Sequence, residues 1–325
     1  MRPGSKVGFA AAVALLISLM LVSLLVGPAG LQPAETLRAL VAPASTDPSV
    51  RAIVWNARLP RLCLAAGVGA ALAVAGAVMQ GFFQNPMAEP SIIGVSSGAA
   101  LGATIAIVSG AAGSASWLSL PGFAFAGALG VTVLVYILSR RGLLLTGIAV
   151  ASLASALSSL IMIRGQRGDL DLVVFWMLGS LANRGWSEAV IVAAYAAIGI
   201  VLAAGLARHI DVLALGDEQA LFLGLNVERT RAVLLAVVAL LAGSAVSAAG
   251  VIGFVGLIVP HVCRTVFGPG HRVLVPASAL GGMVTLIAAD IVANAAGEVP
   301  VGTITALIGC PFFLWLLRRR ALGQL

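Results

Sequence analysis

Residues 61–83 read Arg61-Leu-Cys-Leu-Ala-Ala-Gly67-Val-Gly69-Ala-Ala-Leu-Ala-Val-Ala-Gly76-Ala-Val-Met-Gln80-Gly-Phe-Phe83. After its opening arginine the stretch holds no acidic or basic side chain. A bilayer core of about 30 Å takes about 20 helical residues at ~1.5 Å each, so a run of this length and apolarity is a membrane span. Its glycines and alanines add a second point. Lipid gives helices no hydrophobic reason to associate, and small residues let backbones approach closely enough for dispersion contacts. The span therefore belongs inside a tight bundle of many helices.

Nine further stretches of the same kind flank it: about 7–27, 91–109, 118–138, 143–163, 188–207, 232–249, 251–266, 273–293 and 303–317. The stretch at 251–266 is short and interrupted by Pro260. The first stretch follows Arg2 and Lys6 much as a signal peptide would. Its apolar run from Val7 to Val26 is longer than the usual ~7–15 residues, and no small-x-small cleavage site follows, so it is read as a retained span. The composition agrees: of 325 residues 60% are hydrophobic and 10% charged, with a mean hydropathy of +1.09. A soluble domain is about 45–50% apolar and about 25% charged. Disorder is excluded by the same figures, and the 38 glycines follow no collagen period. The expected fold is a single all-α polytopic membrane domain over residues 1–325, with about ten transmembrane helices.

Charge sets the orientation. With the N-terminus inside, the cytoplasmic segments carry Arg2, Lys6, Arg140, Arg141, Arg208, Arg229, Arg231, Arg264, Arg272, Arg318, Arg319 and Arg320. The opposite side carries Arg38, Arg51, Arg58, Arg61, Arg164, Arg167 and Arg184. That imbalance places both termini in the cytoplasm and requires an even number of spans. The net charge of +7 is read as arginines anchoring loops to anionic headgroups, with no nucleic-acid partner.

Several chemistries are excluded by residue type. Lys6 is the only lysine, so no Walker A sequence, which ends in Lys-Ser or Lys-Thr, can exist here. Cys63, Cys263 and Cys310 lie far apart in apolar stretches and read as small packing residues. No His/Cys/Asp group has metal-ligand spacing, no nucleophile stands beside a base, and no cofactor is expected on this chain. His209, His261 and His271 all fall at or near cytoplasmic ends. Asp290 sits inside an apolar run, where a carboxylate costs roughly 2.5–3.5 kcal/mol on the translocon scale unless paired. A proton relay needs further ionisable groups along a path, and no second one appears in a span core. Asp290 is therefore read as a structural carboxylate, hydrogen-bonded to neighbouring backbone or serine groups.

Four segments are too polar or too rich in Gly and Pro to face lipid. They are Arg58-Leu-Pro-Arg61; Gln80 to Pro90 with Gly94-Val-Ser-Ser-Gly98; Leu213 to Leu225; and Gly253 to Arg264 with Glu298-Val-Pro300-Val-Gly302. In order and spacing, from about residue 50 to 320, they resemble the permease subunits of type II ATP-binding-cassette importers for ferric siderophores, haem and cobalamin. The third segment also stands out on physical grounds. Asp217, Glu218 and Gln219 are polar, Ala220 to Leu223 apolar, and Gly216 and Gly224 bracket them; a loop rarely exposes Leu-Phe-Leu without a partner.

The resemblance implies that this stretch, about 216–224, is a cytoplasmic coupling helix docking in a groove of a separate ATPase subunit. Gly216, Asp217, Glu218, Ala220, Leu221, Leu223 and Gly224 would then lie in or beside that interface. It implies that Arg58 and Arg61 pair with glutamates of a periplasmic binding protein, against the alternative of headgroup snorkelling. Asn294 stands where cobalamin members carry a further docking arginine, so the docking set is either smaller here or uses Arg51 or Arg184. Asn85 and Met87 would sit at the cytoplasmic gate. The partner gate loop, Arg140-Arg141-Gly142, departs from the small polar residues of the family. The implied assembly is two copies of the chain in a bacterial inner membrane, two ATPase subunits carrying ATP and Mg, and the binding protein. Haem is the preferred cargo, because Arg164, Arg167 and Arg184 could attract propionates, with ferric siderophore and cobalamin as alternatives. A secondary transporter would need coupling-ion groups near the midplane, where Asp290 is the one candidate. A membrane scaffold would not need the exposed Leu-Phe-Leu.

Overall fold

The structure is a computed structural model that describes residues 3–27, 29–113, 119–139 and 142–321. Among these residues all regular structure is helical. In chain order the helices are α1 (Pro3–Leu25), α2 (Pro33–Val41), α3 (Pro48–Ile53), α4 (Leu59–Phe82), α5 (Val95–Val108), α6 (Leu120–Leu138), α7 (Leu143–Met162), α8 (Arg167–Met177), α9 (Trp186–Gly205), α10 (Ala207–Leu213), α11 (Asp217–Phe222), α12 (Val227–Ala249), α13 (Val255–Phe267), α14 (His271–Ala295) and α15 (Val301–Ala321). A π-helical turn, Val54–Arg58, joins α3 to α4 without a break. Eight of these helical stretches are long and apolar enough to cross a membrane. Arg140 and Arg141, expected at a gate, lie outside the described residues.

The small-residue stretch that marks α4 in the sequence runs down the middle of the bundle, where α14, α9, α12 and α13 pack around it. Almost every residue from Leu62 to Phe82 is buried. Backbones touch at two crossings. A Cβ on Gly69 would stand 2.2 Å from the carbonyl oxygen of Gly282 in α14, and one on Gly76 would stand 1.8 Å from that of Gly256 in α13. No larger residue fits at either place, which is the close approach that small residues permit in lipid. The outer helices show the opposite pattern. Leu145, Ile148 and Leu160 on α7, Val190 and Val201 on α9, and Leu307 and Ile308 on α15 are exposed apolar side chains, as lipid-facing positions require.

The third and eighth expected spans differ from the other eight. α5 and α13 are helical over only 14 and 13 residues, about 20 Å each and short of a full crossing. Each starts from an irregular stretch folded into the bundle. Gly94 (φ 79°) precedes α5, and Phe254 takes the left-handed conformation (φ 68°) before α13. The two starts meet: the ring of Pro90 lies against Gly256, and the Glu89 carboxylate accepts a hydrogen bond from the Phe254 N–H at 3.1 Å. Irregular backbone at this depth is tolerated where protein covers it. Pro260 does not break α13.

One expectation is corrected. Asp290 is not held by neighbouring backbone or serine groups. Its carboxylate accepts from Arg61 Nε (3.1 Å to each oxygen) and Arg61 Nη2 (2.8 Å). The arginine begins α4 and the aspartate lies near the end of α14, so two antiparallel neighbours bring opposite charges together. A bidentate guanidinium–carboxylate pair neutralises a charge that the bundle otherwise excludes from water.

Candidate functional site

Two polar faces close the ends of the bundle. The first gathers around Arg58, at the junction where α1 ends and α4 begins. Arg58 Nη1 donates to the Leu24 carbonyl at 2.5 Å and lies 3.3 Å from Thr36 Oγ1, so the guanidinium caps the carbonyls at the end of α1. Arg61 turns inward to Asp290, and Asn294 one helical turn further along α14 reaches the same carboxylate at 3.4 Å. Arg184, Asn294 and Glu298 join these groups around a cavity of about 490 Å³. Both guanidiniums of the Arg58-Leu-Pro-Arg61 segment are thus engaged within the chain rather than reaching freely outward. Two donors in this group have no partner among the described residues, Arg58 Nη2 and Arg184 Nε. Burial pushes the Arg184 guanidinium below its ordinary range, with Glu188 opposing the shift, and an arginine still stays charged at any physiological pH. Arg164 and Arg167 sit exposed at the turn from α7 to α8 and do not line this cavity.

The second face holds α11. Gly216 (φ 112°) and Gly224 (φ 80°) take backbone conformations that side chains resist, and they set the short helix off from α10 and α12. Asp217 pairs with Arg231 of α12 at 2.9 Å, and the Arg231 guanidinium lies over the Phe82 ring that ends α4. Ala220 is fully buried beneath the helix. Clamped in this way, α11 presents Leu221 (61% exposed), Phe222 (91%) and Leu223 (64%) outward, with Leu215 beside them. Ala220, which the resemblance places in or beside the interface, faces the protein interior. Phe222, absent from that set, is the most exposed large side chain of the group.

Beside the second face lies the turn after α4. Asn85 Oδ1 accepts from the Met87 N–H at 3.0 Å, which shapes the turn; Asn85 is exposed and Met87 half-buried. Gln84 Nε2 donates to the Leu213 carbonyl at 3.2 Å, tying this turn to the end of α10. Nearby, the Asp211 carboxylate of α10 receives both the backbone N–H (3.0 Å) and ring Nδ1 (2.6 Å) of His271. Gly81 leaves the space these groups need, because a Cβ there would meet Ile210 at 2.3 Å and His271 Nε2 at 2.9 Å. Asp211 and His271 were missed as a pair in the sequence, where they stand 60 positions apart. The sequence marks only that His271 falls near a cytoplasmic end.

The bundle carries polar groups at its two ends and, between them, an apolar core entered by the irregular starts of α5 and α13. Among the described residues no three His, Cys, Asp or Glu side chains gather as metal ligands would. Eight helices long and apolar enough to cross a membrane, with exposed apolar side chains around them, define a polytopic membrane protein. The chain belongs to the FecCD transport family, whose sequence pattern spans residues 15–319. It is 47% identical over 285 residues to the cobalamin import system permease protein BtuC of Halobacterium salinarum, covering 85% of this chain and 76% of that protein. It is 40% identical over 294 residues to the hemin transport system permease protein HmuU of Yersinia pestis, covering 85% and 86%. A solved metal-chelate type ABC transporter in an inward-facing conformation superposes with a TM-score of 0.85 at 32% identity, covering 97% of this chain and 99% of that one. The chain is accordingly a multi-pass permease of the metal-chelate, cobalamin and haemin class of ABC importers.

Proposed function

We propose that two copies of this chain enclose a pathway, that a binding protein delivers cargo to the Arg58 face from outside, and that two separate ATPase subunits, with ATP and Mg, act on the α11 face from the cytoplasm. One observation carries the reading. A helix bounded by glycines is locked to the bundle through Asp217 and Ala220 while Leu221, Phe222 and Leu223 stand exposed at one end of a membrane protein. Such a patch needs a protein groove, and a chain whose only lysine is Lys6 has no phosphate loop of its own to supply the energy. Co-purification tests this. The permease should retain its ATPase partner in detergent, and Leu221→Asp should release that partner while leaving the permease folded. Retention by the variant, or transport that continues without ATP, would overturn the proposal.

Docking at the other face follows from the same reading. Arg184 lines the same cavity as Arg58 and Arg61, so its guanidinium adds positive charge where a docking carboxylate would approach, while Arg61 is already held by Asp290. That supports Arg184 as the substitute for the docking arginine missing at Asn294.

For cargo we infer a bulky, preformed metal chelate, with cobalamin the first candidate and haem the second. The case for haem rested on Arg164, Arg167 and Arg184 acting together, and the structure puts Arg184 in the Arg58 cavity, which the other two do not line. The relative named for cobalamin also matches at higher identity than the one named for hemin. Proteoliposomes loaded with the ATPase and the matching binding protein should accumulate cobalamin in preference to haem or a ferric siderophore. Accumulation of haem alone would reverse the order.

A further inference from the structure

We propose that α14 is a lever linking the two faces, pivoting where Gly282 lies on Gly69; this rests on the importer reading above. The helix is clasped at both ends by charged groups from other elements. At its first residue, His271 holds the Asp211 carboxylate of α10 through the backbone N–H and ring Nδ1, and its Nε2 lies 3.4 Å from the Ala77 carbonyl of α4. Asp211 is six positions before Asp217, so α10 leads directly into the exposed helix α11. Nineteen residues further along α14, about 28 Å at ~1.5 Å per residue, Asp290 holds Arg61 beside the cavity.

Between the clasps the backbones of α4 and α14 touch. A Cβ on Gly282 would stand 2.0 Å from the Gly69 carbonyl oxygen. No side chain there can deform to let the helices slide, and separating them would open a void, so rotation about the contact is the cheap motion. The pivot lies about 16 Å from His271 and about 12 Å from Asp290, which gives two arms of similar length. A displacement of α10 by an ATPase therefore pulls His271, tilts α14 and strains the Arg61–Asp290 pair. In the other direction, a docking carboxylate that competes for Arg61 frees Asp290 and relaxes the hold on α10. The Asp290 clasp is a bidentate pair on a carboxylate that is 1% exposed. The Asp211 clasp is a 2.6 Å hydrogen bond between a buried imidazole and a carboxylate that is 39% exposed. Each is a discrete contact that a displacement breaks. Asp211 and Asp290 act in this scheme as positioning residues; neither touches cargo.

The test is the ratio of binding-protein affinity with and without a non-hydrolysable ATP analogue, measured on the full complex in nanodiscs. Allosteric coupling makes this ratio typically about 5–150-fold, and the same factor governs the effect of the binding protein on nucleotide affinity. Asp211→Asn should bring the ratio close to one while ATPase retention and basal hydrolysis stay at wild-type level, and Asp211→Glu should restore it. The double variant Arg61→Met with Asp290→Leu removes the other clasp without leaving a lone charge, and should lower the ratio in the same way. A merely structural role would change stability or basal hydrolysis and leave the ratio alone. A wild-type ratio in both variants, or a ratio of one in the wild-type complex, overturns the lever and leaves the importer reading standing, whereas transport that continues without ATP overturns the importer reading itself.

Discussion

Arg61 reaches Asp290 across 229 positions of sequence, and the pair shows how a single charge is accommodated inside an apolar bundle. The aspartate side chain is 1% exposed and the arginine 17%. Removing one member leaves the other charge in a place that cannot hydrate it, whereas removing both leaves only packing to repair. Asp290→Ala should therefore cost about 3–5 kcal/mol, seen as a lower midpoint of thermal unfolding in detergent, and Arg61→Met with Asp290→Leu should recover most of that loss. A double variant less stable than Asp290→Ala would show that the pair is not acting as a charge-neutral unit. Sequence showed that Asp290 was in a costly place, because an isolated carboxylate in an apolar run is visible by eye. It did not show the partner, because helix-end arginines are common and only the antiparallel packing of α4 on α14 selects one of them. The same holds for His271, which the sequence places near a cytoplasmic end without showing Asp211 as its partner.

At the level of elements, every expected span is a helix, because hydropathy over about twenty residues is a strong signal in lipid. The shortness of α5 and α13 was less legible: flanking apolar residues such as Ile92, Ile93, Val251 and Ile252 continue the hydropathy past the point where Gly94 and Phe254 break the helix. Helix contacts are set by glycines whose purpose only the packing reveals. Gly69→Ala places a methyl group against the Gly282 carbonyl oxygen and should destabilise by about 1–3 kcal/mol through overpacking. Gly130→Ala, where nothing lies within 4 Å, should be neutral or slightly stabilising from helix propensity alone. Unfolding midpoints of the two variants compare them directly, and equal values would refute the close crossing. The short helix α11 invites a second contrast. Phe222→Asp alters an exposed side chain and should leave the midpoint unchanged while releasing the ATPase subunit. Ala220→Asp buries a charge and should lower the midpoint itself. Loss of the partner without loss of stability in Ala220→Asp would show that the buried side of α11 has been misassigned.

Across the whole molecule, α4 joins the two faces directly: it spans 24 residues, about 36 Å, from the Arg58 cavity to the Phe82 ring under Arg231. A segment beside its start and a segment beside its end must then lie on opposite sides of any bilayer the bundle occupies. Arg51 is exposed on α3 just before that start, and Phe222 is exposed on α11 beside its end. The excess of arginine on the α11 side of the sequence predicts that this side faces the cytoplasm. In a background lacking Cys63, Cys263 and Cys310, Arg51→Cys should react in intact cells with a thiol reagent that cannot cross membranes, and Phe222→Cys should not. Inverted membrane vesicles should reverse the pattern. Reaction of both cysteines from the same side would mean that α4 does not cross, and the bundle built around it would fall. Reaction in the reversed sense would keep the bundle and turn it over, placing the exposed Leu221, Phe222 and Leu223 where no cytoplasmic ATPase can reach them.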